Sequence, residues 1–416
     1  MTQKKSNPMP LDLRKIITQI SNVERQETRE LNANRLNSTY ELLQTANNNQ
    51  NKLLVRLAET KSSQKANFFF AEPNNDSPIT TLYKSKDDFS TPHITIATDG
   101  SQINPSAHEI TSASLINIGL VAIPYYKSDI PVLLSSEPTI YNSTDDIALY
   151  NFSQNIQEED LISYERTLKE IEELVKLAKI YKSYNLPIVA LLDGTLIHWH
   201  LEKFNDYFIE RFITRFSDAI LELKSLGIPL ASFLSNSRSN DIINMLRIYN
   251  CPFETVNCKK HCSGIDSKNL QCNPMPDYKP VFDRKLIGKL MLEENATCGT
   301  RTVLFKSNSK ILDYYKNDLK ILFFYLNTGT EIARVEIPSY VAEDENLFKL
   351  MSNAVSLQCK AGFGYPITLS EAHLQAVVNR TDREIFYSLL KEHLLKKNHS
   401  TVRLSNKEFK KRISFV

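Results

Sequence analysis

Long apolar runs are missing from this chain of 416 residues. No stretch reaches the roughly 18 apolar residues that crossing a bilayer requires. The opening MTQKKSNPMPLDLRK lacks the apolar core of a secretory signal. A cytoplasmic protein without membrane spans is the expectation. An excess of one charge is missing too: Lys+Arg 50 against Asp+Glu 48 leaves a net charge of +2. No global field therefore draws the chain to nucleic acid, and any basic surface has to be local. Cysteine is scarce, with six in all. That number in so long a chain excludes a disulfide framework and leaves thiols or metal ligation in a reducing compartment. No internal repeat is apparent. Apolar residues are plentiful, at 42% of the chain, enough for a sizeable core in one large domain or two ordinary ones.

The order of elements is informative. Residues 10–60 are polar with Leu, Ile and Val at helical spacing, which predicts one or two extended helices. Residues 61–92 predict a connection crossing the surface, so 1–92 read as a helical extension with linker, and the compact domain starts at His93. There the run Ile94 to Thr98 predicts a strand ending at Asp99-Gly100-Ser101. Apolar stretches over 113–126 and 132–134 suit an antiparallel meander, and a helix is expected over 158–184. A second buried strand, Ile188 to Leu192, ends at Asp193-Gly194-Thr195. A helix (201–226), a strand (229–234) and a helix (239–249) continue the alternation of an α/β protein. Meander, helix and then a parallel strand beside the first is the order of a ribonuclease H-like mixed sheet flanked by helices. In that fold Asp99 and Asp193 are neighbours. A cysteine-containing insertion at 250–280 interrupts the pattern. A helix near 283–292, strands at 302–305, 321–326 and 331–337, and helices near 339–360 and 369–395 follow, and 396–416 form a basic tail.

Four constellations carry chemistry. Asp99 and Asp193, held on adjacent strands, repel unless a cation neutralises them, which points to a hard divalent metal and phosphate chemistry. The alternative is that each caps a turn or helix. Glu165, Glu170, Glu172 and Glu173 form an acidic helix face from which one carboxylate could complete such a site, the others facing solvent. In GFGYPITLSEAH, residues 362–373, His373 could ligate a metal or move protons, and Tyr365 could bond a phosphate or stack on a base; both could equally be satisfied core groups. Cys251, Cys258, Cys262 and Cys272, with His261 among them, either hold a structural Zn²⁺ or are free thiols, because the spacing is not that of paired CxxC motifs.

The Asp99-Gly100-Ser101 strand, LLDGTLIHWHLE, SNSRSNDIINMLR, FFYL with EIARVEIP, and GYPITLSEAH together resemble the NurA nucleases, in their long bacterial form, in order over most of 93–395. The resemblance implies a Mn²⁺-dependent nuclease, with Mg²⁺ as the other candidate ion, acting as a 5′ to 3′ exonuclease and single-strand endonuclease. It also implies a homodimer that works with the hexameric ATPase HerA in resecting DNA ends for double-strand break repair, and the apolar stripe of the helices within 10–60 is expected to be buried against the second subunit or HerA. The family's metal-site acids fall on Asp99, Asp193 and, in Arg166-x-x-x-Glu170, on Glu170; its Tyr and His fall on Tyr365 and His373. Thr195 stands where Ser is commoner. The rival readings are another phosphoester hydrolase on this fold and a catalytically silent DNA-binding or scaffold subunit of the HerA complex.

Overall fold

A computed structural model describes residues 12–21, 29–85, 89–105, 113–127, 129–143, 146–147, 149, 151, 156–266, 269–273 and 281–396. The chain opens with three helices, α1 (Leu13–Ser21), α2 (Arg29–Asn48) and α3 (Gln50–Ser63). Two short strands follow, β1 (Ala71–Pro73) and β2 (Leu82–Lys84), and then the meander β3 (His93–Ile103), β4 (Ser114–Tyr125) and β5 (Leu133–Tyr141). Next come α4 (Glu158–Lys182), β6 (Ile188–Asp193), α5 (Asp206–Ser225), β7 (Leu230–Leu234), α6 (Asp241–Asn250), α7 (Cys258–His261) and α8 (Asp283–Glu293). The last part comprises β8 (Thr300–Thr302), β9 (Phe305–Ser307), β10 (Ile321–Asn327), β11 (Ile332–Pro338), α9 (Ser339–Glu343), α10 (Glu345–Ala361), α11 (Ile367–Ala376) and α12 (Arg380–Lys396).

All strands join one mixed sheet whose main path runs β1-β9-β10-β11-β7-β6-β3-β4-β5, with β2 and β8 attached beside β10. The segment β5-β4-β3-β6-β7 is the ribonuclease H-like order expected from the sequence, with β3 parallel to β6 and β6 parallel to β7. Helix α4 connects the edge strand β5 to β6, crossing over β4 and β3. Its first turn carries Glu158, Glu159 and Asp160 and its last Lys179 and Lys182, each sign at the end of the helix dipole that it stabilises. Its buried face, including Leu161, Leu168, Ile171, Leu174 and Ala178, joins the core over the sheet. Among the described residues no helix is long and apolar enough to cross a membrane.

Strand β10 divides two cores by the two-residue alternation of a strand. Phe324 and Leu326 enter the core shared with α4 and α5, while Phe323 and Tyr325 enter a second one with Leu43, Leu53, Leu57, Ile242, Leu246 and Leu290. This second core corrects two expectations. The apolar stripe of α2 and α3, expected to await a second subunit or HerA, is buried against α6 and α8 of its own chain, while Leu13, Ile17 and Ile20 of α1 and Val55 of α3 stay exposed. The segment 61–92 is more than a surface connection: Phe70, Ala71 and Ile79 are buried, and β1 and β2 extend the sheet.

Smaller differences have local causes. β3 passes through Asp99 to Ile103, because β4 pairs with it along its whole length. A 3-10 turn at Trp199–Lys203 separates Asp193 from α5, whose true start is capped by the Asn205 side chain accepting from the Phe208 N–H. The expected helix 339–360 is divided at Asp344, which caps α10, and the expected helix 369–395 is α11 and α12. Of the basic tail only Lys396 lies within the described residues.

Candidate active site

Alternation along β3 distributes its residues between two helices. Thr98 and Gly100 meet α4: the Thr98 hydroxyl donates to the Glu170 carbonyl at 2.7 Å, and a Cβ on Gly100 would lie 2.5 Å from Glu170 Oε1 and 2.7 Å from Arg166 Cγ. Asp99 and Ser101 meet α11: Asp99 Oδ2 stands 2.8 Å from His373 Nδ1, and Ser101 Oγ donates to the Ala376 carbonyl. Gly100 thus leaves the room through which the Glu170 carboxylate reaches the edge of the strand.

α11 is fastened at both ends. At its start, buried Gln358 Oε1 accepts from the Thr368 N–H and hydroxyl, both at 2.9 Å. Near its end, Asn117 Nδ2 donates to the carbonyls of Gln375 and Ala376. Gly119, paired with Asp99 across the ladder, lets the helix lie directly on β4, since a Cβ there would meet the Ala372 carbonyl at 2.2 Å. These anchors set His373 beside Asp99.

Asp193 follows Leu192, which pairs with Thr98 in the parallel ladder, so the two aspartates emerge side by side. Gly194 has φ +88°, the backbone of a sharp turn. The turn is held from below by Glu336, 1% exposed, whose Oε2 accepts from the Thr195 hydroxyl at 2.8 Å and the Leu196 N–H at 2.7 Å. Arg334 pairs with Glu336 at 2.8 Å and with Asp241 at 2.9 Å, so the buried carboxylate is not left uncompensated. Tyr365, edge-on to Phe233, hydrogen-bonds the Asp193 carboxylate.

The electrostatics follow from this crowding. Burial pushes the Glu170 carboxyl up to about 8, and Asp99 and Asp193 add to the effect against the opposing pull of Arg166, whose Nε lies 3.2 Å from Glu170 Oε1. Asp193 is raised by desolvation in the cleft and by Asp99, and the Tyr365 hydroxyl is raised by desolvation and both aspartates. The other helix glutamates are engaged elsewhere: Arg215 pairs with Glu165 and Glu172, and Lys176 with Glu173. Of the acidic face, Glu170 is the carboxylate beside the strand acids.

All five residues singled out from the sequence, Asp99, Glu170, Asp193, Tyr365 and His373, therefore meet in one cleft. A hard divalent ion suits such oxygen and nitrogen donors, and repelling, partly desolvated carboxylates are a charge deficit that a cation would offset. Here Arg166 and His373 engage two of them, and among the described residues no three His, Cys, Asp or Glu side chains are already disposed to hold a metal ion. The cysteines are no exception. Cys251, Cys258, Cys262 and Cys272 form no disulfide and line one cavity of about 40 Å³ beside Phe253, and His261 stacks on that ring at 4.1 Å. Burial, then the neighbouring thiols, raise Cys262.

The NurA domain model matches residues 93–378, well over half of the chain. The chain belongs to the NurA family. It is a member of a family of nucleases, with nucleic acid as the implied partner. No curated protein matches the chain. Within this NurA domain, reading by motif missed the supports: Glu336, Gln358, Asn117, Ser101 and Gly119. Their only signal is a polar residue or glycine inside an otherwise apolar strand or helix face, and their partners lie far away in sequence.

Proposed function

We propose that this chain is a metal-dependent DNA nuclease, using Mn²⁺ or Mg²⁺, with 5′ to 3′ exonuclease and single-strand endonuclease action, and that its catalytic unit is residues 93–395. It resects DNA ends in double-strand break repair as a homodimer working with a HerA-type ATPase; family membership is what supports these partners. The observation that carries the catalytic reading is the meeting of Asp99, Asp193 and Glu170 at one end of neighbouring strands, in a cleft where burial and mutual repulsion raise Glu170 and Asp193.

Asp99, Glu170, Asp193 and His373 would hold the divalent ion. Its chemistry when bound is neutralisation of phosphate charge and activation of water. Glu170, beside Asp99 and Asp193, would give up its proton to join them around the ion and would orient the attacking water. The Tyr365 hydroxyl, kept protonated by burial and by the aspartates, would turn from Asp193 to donate to a phosphate oxygen and orient the scissile strand. His373, 67% exposed, is held through Nδ1 by Asp99, which leaves Nε2 as the nitrogen that would take the ion. Zinc on Cys251, Cys258, Cys262 and Cys272 would brace the 250–280 insertion. The test is digestion of 5′-labelled single strands and duplexes with Mn²⁺, with Mg²⁺ and with EDTA. Metal-dependent cleavage is expected. A chain that binds DNA yet never cuts it would instead be a silent subunit.

A further inference from the structure

We propose that Phe363 is a base-stacking residue that grips the unpaired strand of the nucleic acid at the mouth of the catalytic cleft. The inference rests on the nuclease reading and adds to it a residue that contacts substrate bases. At 93% exposure, Phe363 is the most exposed of the large apolar side chains among the described residues. It sits two residues before Tyr365, whose hydroxyl bonds Asp193, on the turn between α10 and α11.

The backbone at Phe363 is costly. Its φ is +53°, a left-handed conformation that a bulky side chain rarely adopts. The turn is otherwise built for close packing. A Cβ on Gly362 would meet the Tyr365 carbonyl at 2.0 Å, and one on Gly364, itself at φ +104°, would meet Thr330 Oγ1 at 1.8 Å. The Gly364 N–H donates to the Cys359 carbonyl at 2.8 Å, and Thr330 Oγ1 lies 3.4 Å from the Phe363 carbonyl. The tip is therefore fastened on both sides of a residue whose ring, among the described residues, packs on no other ring. A glycine or asparagine would hold this turn with less strain. Strain and full exposure of an apolar ring at one position serve neither folding nor solubility, and strain retained beside a site is a sign of use.

A free aromatic face suits an unpaired base, which stacks on it whatever its sequence. Lys360, exposed on the last turn of α10, supplies a cation near the same tip for the backbone of that strand. Within a duplex the base faces are covered by neighbouring pairs and only the terminal pair offers one, whereas every base of an unpaired strand can be splayed onto the ring, so the ring favours single strands and frayed ends.

The full chain is tested with Phe363→Gly, which relieves the left-handed strain, and with Phe363→Trp, which keeps a flat ring. Phe363→Gly should keep a melting midpoint close to that of the unaltered chain while KM for a single-stranded oligonucleotide rises about five- to a hundredfold, with a smaller change in kcat. Phe363→Trp should restore KM. An unaltered KM in Phe363→Gly overturns the inference, as does a change of oligomeric state by light scattering, which would make the ring a protein contact. If the unaltered chain cleaves no DNA in any metal, it is the underlying nuclease reading that fails.

Discussion

The same dipeptide, Asp-Gly, brings a carboxylate into the cleft twice, and the two glycines serve opposite ends. Gly194 has φ +88° with nothing within 4 Å of where its Cβ would be, so it is there for the shape of the backbone. Gly100 sits inside β3, two residues past the end of its pairing with β6 and still paired with β4, and its hydrogen leaves space for Glu170 and Arg166. One glycine makes a turn and the other makes a contact. The site is thus assembled from a strand that stops and a strand that continues, joined through a helix side chain that only a missing Cβ admits.

The largest effects should come from the acids themselves. Asp99→Asn or Asp193→Asn should lower metal-dependent cleavage on the order of 10³-fold, with the fold intact by circular dichroism. Glu170→Gln should cost about 10²-fold, whereas Glu173→Gln, which loses only the Lys176 pair, should stay near the unaltered rate. In chelated protein, Glu170 holds its proton up to about 8 when folded against 4.5 ordinarily. The folded state then binds more protons than the unfolded state through this window, so stability falls as pH rises across it, and Glu170→Gln should flatten that slope in thermal melts.

The glycine pair gives the next comparison. Gly100→Ala pushes Glu170 aside and should lower kcat by about 10- to 10²-fold, with a modest change in melting midpoint. Gly194→Ala meets no atom, so its effect should be a stability loss of about 1–2 kcal/mol from a left-handed alanine, read by denaturant unfolding. Equal behaviour of the two variants in both assays would erase the distinction. The smallest effect on cleavage belongs to the cysteine loop: purified chain should hold about one zinc, released when Cys258 and Cys262 are replaced, while elemental analysis finding none would leave four ordinary thiols.

The central sheet order, Asp99 and Asp193 were legible in the sequence, because apolar runs ending in Asp-Gly and their separation by one long helix are local patterns, whereas Tyr365 and His373 stood out only through the resemblance of GYPITLSEAH to the family's motif. The choice of Glu170 among four glutamates was less so: it depends on Arg215 of α5 claiming Glu165 and Glu172. Glu336 was illegible as a support, since a carboxylate in the middle of β11 gains meaning only from Thr195, 141 positions earlier. The second core escaped for a similar reason. Leu43, Leu53 and Leu57 showed an apolar stripe, but nothing local named α6 and α8 as its cover.

The most direct test is Mn²⁺ binding by titration calorimetry on the full chain without DNA, compared across the unaltered protein, Asp99→Asn, Asp193→Asn and Glu170→Gln. The three-carboxylate account predicts binding that is strong in the first and weakened or lost in each of the others, in step with cleavage. Binding that survives all three substitutions would contradict it and place the metal elsewhere in the chain.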